Sequence, residues 1–211
     1  QSLDSRPRLI ETSSFIFRLR NMSARKSVSI VIGVVGVLAA ALAFLPLSSD
    51  NASPTEVPEP ASGADPRPAL LVIGDSLSAG YGLERVEEGW VALLQTRIDN
   101  QDYGIRVVNA SISGDTTGGG AARIAQALDT HKPAVVVIEL GGNDGLRGIP
   151  IDITEANLRQ MVTASQKAGA SVAMLGMRIP PNYGARYTEQ FEGTFRKIAE
   201  AFSIPMEPFF L

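Results

Sequence analysis

Three short, glycine-rich polar clusters hold the residues able to do chemistry: Gly74-Asp75-Ser76-Leu77-Ser78, Asn109-Ala110-Ser111-Ile112-Ser113-Gly114-Asp115, and Gly141-Gly142-Asn143-Asp144. An unactivated serine hydroxyl is a weak nucleophile and needs a neighbouring base. The tetrahedral oxyanion formed by its attack on a carbonyl needs preorganised donors, usually backbone N–H groups and an amide side chain. Ser76 has the flanking residues of a serine held open to a ligand. Gly114 offers a backbone N–H with no side chain in the way, and Asn143 offers a side-chain NH2. Losing one such donor typically removes about 3 kcal/mol of transition-state stabilisation. Each cluster alone has a plainer reading. Gly-Asp-Ser is a common turn, and Gly-Gly-Asn-Asp is an ordinary loop in which Asp144 would cap a helix. Their joint occurrence carries the weight.

All three follow short apolar runs. Ala69–Gly74, Arg106–Asn109 and Ala134–Leu140 end in the three clusters, Ser171–Gly176 is a fourth run, and Pro205–Phe210 a fifth. Continuous runs rich in Val and Ile suit strands buried on both faces. Helical stretches separate them: Gly89–Ile98, Gly118–Asp129, Thr154–Ala168 and Tyr187–Phe202. Strand–helix alternation of this kind predicts an α/β fold, a parallel sheet covered by helices on both sides. In such sheets ligands bind at the carboxyl ends of the strands. The clusters lie there.

In combination, GDSLS after the first strand, a glycine after the second and GGND after the third resemble the GDSL/SGNH hydrolase family. The neighbouring text, LLVIGDSLSAGYGL, VVNASISGDTTGGG and VVIELGGNDGLRG, is most similar to its bacterial periplasmic branch of thioesterases, lysophospholipases and arylesterases. The resemblance covers about Pro68 to Leu211. It implies a three-layer α/β/α sandwich, flavodoxin-like, with a five-stranded parallel sheet, and no metal or organic cofactor. It implies Ser76 as nucleophile, with the N–H groups of Ser76 and Gly114 and the side chain of Asn143 forming the oxyanion hole. Asp75, Asp144, Gly145, Leu146 and Ile149 are the expected substrate-binding residues, the loop Asp144–Pro150 bordering the acyl pocket.

The family's general base is a histidine three residues after an aspartate, in a loop following the fifth strand. No Asp-x-x-His occurs in these 211 residues, and the one histidine is His131, just before the third strand. From Pro133 to Leu140 the strand runs roughly 23 Å at about 3.3 Å per residue. His131 is therefore expected across the sheet from Ser76, as a surface residue at a helix C-terminus, where partial positive charge is favourable. The expectation is a truncated piece of a longer gene, hydrolysing esters far more slowly as written than an intact relative, because loss of a triad member leaves only the oxyanion hole and binding.

The rest of the chain sets the context. Residues 1–50 carry a local charge of +3 and the remaining 161 residues a charge of −6. A basic head on an acidic body argues against nucleic-acid binding, since little basic surface is left for phosphates. With no cysteine, disulfides, thiolate metal sites and a lipidated cysteine are excluded. Residues 1–21 read as an untranslated or disordered head, with Met22 as the start. Residues 22–50 (Arg25 and Lys26, then an apolar run from Val28 to Leu47) read as a signal peptide or a membrane anchor. Either places the body in the periplasm or outside the cell, free or tethered to the inner membrane through 28–47. Residues 51–68 form a proline-rich linker, and 69–211 the hydrolase domain.

The expected function is hydrolysis of acyl esters or thioesters through an acyl-enzyme on Ser76, by a monomer whose partner is a small acyl-ester or lipid substrate. Leu77, Leu83, Leu146 and Ile149 favour aliphatic acyl chains. The alternatives are a carbohydrate acetyl esterase and a catalytically dead, membrane-tethered acyl binder. A flavodoxin-like phosphate or flavin module, with Gly118-Gly119-Gly120 at a helix start, is disfavoured because Asp75 would repel phosphate.

Overall fold

The computed structural model describes residues 65–210. The expectations for residues 1–21, 22–50 and most of the linker lie outside these residues. Strand β1 (Ala69–Gly74) begins where the linker was expected to end, and all six of its residues are buried. The order continues with α1 (Ser76–Ala79), α2 (Trp90–Asn100), β2 (Arg106–Asn109), α3 (Thr117–His131) and β3 (Val135–Glu139). Then come α4 (Gly142–Leu146), α5 (Ile151–Lys167), β4 (Ser171–Leu175), α6 (Ala185–Phe202) and a short β5 (Met206–Glu207). The five strands form one sheet in the order β2-β1-β3-β4-β5, with every pairing parallel. This is the flavodoxin-like arrangement expected.

Alternate side chains of the central strands feed two cores, as strand geometry requires. Leu71 and Ile73 of β1 and Val136 and Ile138 of β3 pack under α3, α5 and α6. Leu70, Val72, Val135 and Val137 face the other way, against Trp90, Val91, Leu94 and Ile98 of α2 and against Phe210. On α6 the buried residues Phe191, Thr194, Phe195, Ile198 and Ala199 fall at helical spacing, which places one stripe on the sheet. Phe191 and Phe195 meet edge to face at 5.3 Å. Each large apolar side chain fully buried in this way contributes roughly 1.5–3 kcal/mol.

Strand β2 is an edge, and Gln95 of α2 blunts it. Its Oε1 accepts from Val107 N–H at 2.6 Å and its Nε2 donates to the Ile105 carbonyl at 3.2 Å. The four long helices start or stop within a few residues of expectation. Two short helices, α1 and α4, were not expected. They occupy the Ser76 and Asn143 clusters themselves, and elements of four and five residues are too short to show periodicity.

Candidate active site

The Ser76 turn is built by its neighbours. Asp75 is the N-cap of α1 and its carboxylate accepts from Leu77 N–H at 3.0 Å. The helix stops after one turn because Gly80 takes a left-handed conformation, φ +79°. Ser76, its first residue, is half-buried at the carboxyl edge of the sheet. The loop after β2 is laid beside this turn by two bonds to the backbone of β1, from Ala110 N–H to Val72 O (2.9 Å) and from Ile112 N–H to Gly74 O (3.0 Å). That brings in Gly114, exposed and at φ +80°, a conformation glycine adopts without strain. Arg123 of α3 fixes the loop from behind: its Nε donates to Asp115 Oδ2 at 2.9 Å and its NH1 to Ala110 O at 2.6 Å.

Asn143 of α4 closes the cluster. Its Nδ2 donates to Asp75 Oδ2 at 3.0 Å and to Asp115 O at 2.9 Å. One amide thus ties together all three loops singled out in the sequence. Among the described residues the N–H groups of Ser76 and Gly114 have no acceptor, whereas both hydrogens of Asn143 are engaged. Burial pushes the Asp75 carboxyl above the ordinary aspartate range, helped by the nearby Asp115 charge and opposed by hydrogen bonds from Leu77, Asn143 and Ser76. The Asn143→Ala variant is expected to slow attack by Ser76 about 10²–10³-fold, measured as the rate of Ser76 phosphonylation by a fluorophosphonate with free imidazole supplied as the base.

Several expected substrate contacts need correction. Asp75 is 2% exposed and Asp144 0% exposed, and both carboxylates are occupied by protein donors. Asp144 accepts from Thr117 N–H at 2.8 Å and from Thr117 Oγ1 at 2.5 Å, with Thr154 Oγ1 at 3.4 Å. It bolts α3 and α5 to α4, and it is the third residue of that helix rather than its cap, which is Gly141. Gly145 is also buried, with a Cβ there falling 2.5 Å from Ile179 Cγ2 and 3.0 Å from Phe191. Leu146 remains exposed and Ile149 half-buried. Their carbonyls accept from the hydroxyls of Tyr183 and Tyr187, each at 3.0 Å, while Arg147 NH2 reaches Gly114 O at 3.0 Å. Leu77, Ile112 and Leu146 stand exposed as apolar side chains on these loops.

Arg123, Tyr183 and Tyr187 could not be recognised as supports of the site from the sequence. An arginine on a helix, a tyrosine in a loop turn and a tyrosine in the first turn of α6 have no spacing signature. His131 is the last residue of α3, a helix that starts beside Asp144 and runs back roughly 20 Å at about 1.5 Å per residue. It lies at the amino edge of the sheet, as expected, and does not reach Ser76.

Comparison with known proteins agrees with this geometry. Residues 72–210 match the GDSL-like Lipase/Acylhydrolase family. The chain is 51% identical over 142 residues to the protein named Esterase TesA of Pseudomonas aeruginosa, a match covering 67% of this chain and 70% of that protein. It is 45% identical over 142 residues to Thioesterase 1/protease 1/lysophospholipase L1 of Escherichia coli K12, covering 67% of this chain and 66% of that one. A crystal structure of TesA superposes with a TM-score of 0.65 at 50% identity, over 67% of this chain and 78% of that one. The chain belongs to the GDSL-like lipase/acylhydrolase family, the SGNH hydrolases.

Proposed function

We propose that this protein hydrolyses acyl esters and thioesters by double displacement on Ser76. The observation that carries this reading is the convergence of three strand-end loops on one amide, Asn143, bonded to both Asp75 and Asp115. Ser76 Oγ attacks the carbonyl carbon and gives up its proton to a base. The carbonyl oxygen becomes an oxyanion facing the N–H groups of Ser76 and Gly114 and the amide of Asn143. Collapse expels the alcohol or thiol, which takes up the proton, and water then releases the acid from the acyl-serine. The carboxylates of Asp75 and Asp144 are held within the scaffold, leaving Leu77, Ile112 and Leu146 as the surface offered to an acyl chain.

The single imidazole of the sequence, His131, ends α3 at the other edge of the sheet from Ser76, so among the described residues no histidine serves as the base. Free imidazole in the buffer is therefore expected to accelerate ester hydrolysis by this polypeptide beyond the imidazole-only rate. Under those conditions a series of p-nitrophenyl esters, acetyl through lauroyl, should show kcat/KM rising with chain length, and acetylated sugars should be poor substrates. A clear preference for acetylated sugars would overturn the acyl-chain reading in favour of a carbohydrate esterase. The basic flank and apolar run of residues 22–50 support export to the periplasm, with or without retention on the membrane.

A further inference from the structure

The catalytic reading leaves one buried acid unused. Glu139, the last residue of β3, is 0% exposed. Its Oε2 accepts from Asp75 N–H at 3.2 Å and is hydrogen-bonded to the hydroxyl of Ser78. The peptide N–H just before Ser76 and a side chain two residues after it are thus gripped by a single carboxyl from the neighbouring strand. The turn is also held from β2, where Asn109 Nδ2 donates to Ser78 O at 2.7 Å. Gly74 makes the grip possible: a Cβ there would fall 2.6 Å from Glu139 Oε2 and 2.6 Å from Ser78 Oγ.

No cation neutralises this acid, and its Oε1 is buried without a partner among the described residues. A pairing that served stability alone would be met as well by an amide or by apolar packing, because a buried unpaired charge is destabilising. The charged groups around it are few. Asp75 faces it from the turn. Asp115 and Arg123, paired with each other at 2.9 Å, stand beyond Gly74, whose carbonyl lies 3.5 Å from Arg123 NH2. On the sheet side β4 brings Met174 into register with Ile138, and α2 covers that face with apolar residues.

We propose that Glu139 is a positioning residue for the nucleophile and that it works as the neutral acid. Protonated, it holds the Ser76 turn to β3; ionised, it repels Asp75 and loosens that turn. This rests on the assignment of Ser76 as nucleophile. Burial, and after it the Asp75 charge, pushes the carboxyl up to about 8, so at neutral pH the native state keeps a proton that the unfolded chain releases. A group raised in this direction makes stability fall as pH climbs between the ordinary glutamate value and about 8. Above that, the carboxylate is charged in both states and the fall levels off.

The test pairs a chemical readout with a physical one across pH 5 to 9, on the parent chain, Glu139→Gln, Glu139→Ala and Ser76→Ala. With a fixed concentration of free imidazole as the base, fluorophosphonate labelling of Ser76 should drop about tenfold or more in maximal rate in Glu139→Ala, with little change in inhibitor binding. Glu139→Gln, whose amide oxygen accepts both hydrogen bonds, should recover most of that loss, and its rate relative to the parent should climb as pH passes about 8. Melting temperature should fall with rising pH in the parent but stay flatter in Glu139→Gln. If Glu139→Ala does not fold, Ser78→Ala removes one of the gripped groups and should show a smaller loss of the same kind. Parental labelling by Glu139→Ala, or parent and Glu139→Gln curves that run parallel in both readouts, would overturn the proposal. Failure of the parent chain to label even with imidazole present would sink the assignment of Ser76 instead, and the melting curves alone would then decide the state of Glu139.

Discussion

Ser76→Ala is expected to reduce imidazole-assisted ester hydrolysis by this polypeptide to the rate of imidazole alone. In serine hydrolases with an intact triad, removing the nucleophile typically lowers kcat by on the order of 10⁶. Here the measurable loss is bounded by how well free imidazole replaces a positioned base. The neighbouring serines cannot substitute. Ser78 is 3% exposed and its hydroxyl is bound to Glu139, and the Ser111 hydroxyl is buried. Ser113 is exposed but follows β2 rather than β1. His131→Ala is expected to leave the same rate unchanged, because the ring lies at the amino edge of the sheet. A dependence on His131 would mean that the chain folds or associates differently from the structure described.

The second large effect concerns stability. Asp144→Ala is expected to destabilise the fold by about 3–5 kcal/mol. The carboxylate is fully buried and receives the backbone N–H and hydroxyl of Thr117 and the hydroxyl of Thr154. Asn157 Nδ2 adds a bond to the same Thr117 hydroxyl at 3.1 Å. Truncation would strand these donors where water cannot easily reach them. For a domain of this size, such a loss lowers the melting temperature by roughly 10 °C, readable by denaturant or thermal unfolding. Asp144→Asn should lose less, since one amide oxygen still accepts, although its NH2 must then face a Thr117 donor. A loss below about 1 kcal/mol in Asp144→Ala would mean the network is solvated in solution.

The two aspartates show where reading the sequence works and where it stops. The strands were legible because β1, β3 and β4 are apolar without alternation and each runs into glycine and polar residues. The meeting of the Ser76, Gly114 and Asn143 loops was legible for the same reason: they follow those runs closely. Side-chain direction was not. Asp75 and Asp144 sit one residue from Ser76 and Asn143, so position along the chain suggested that they too would face substrate. Short helical turns point them inward instead, Asp75 as a cap and Asp144 as a bolt between helices. Glu139 was hidden differently. It ends an apolar strand and looks like the start of the polar loop, yet Gly74 on the adjacent strand leaves a space that its carboxyl fills. That pairing joins residues 65 positions apart, and periodicity does not register contacts of that range. Arg123, Tyr183 and Tyr187 likewise act across the fold, on backbone carbonyls whose positions exist only once the sheet has formed.

The central claim is that Ser76 is the acyl-accepting nucleophile, and the most direct measurement is peptide mapping by mass spectrometry after treatment with a fluorophosphonate. With free imidazole supplied as the base, a single stoichiometric adduct is expected on the peptide carrying Ser76, slowed in Asn143→Ala and absent from Ser76→Ala. An adduct on another serine, or labelling of Ser76 that is unaffected by Asn143→Ala, would contradict it.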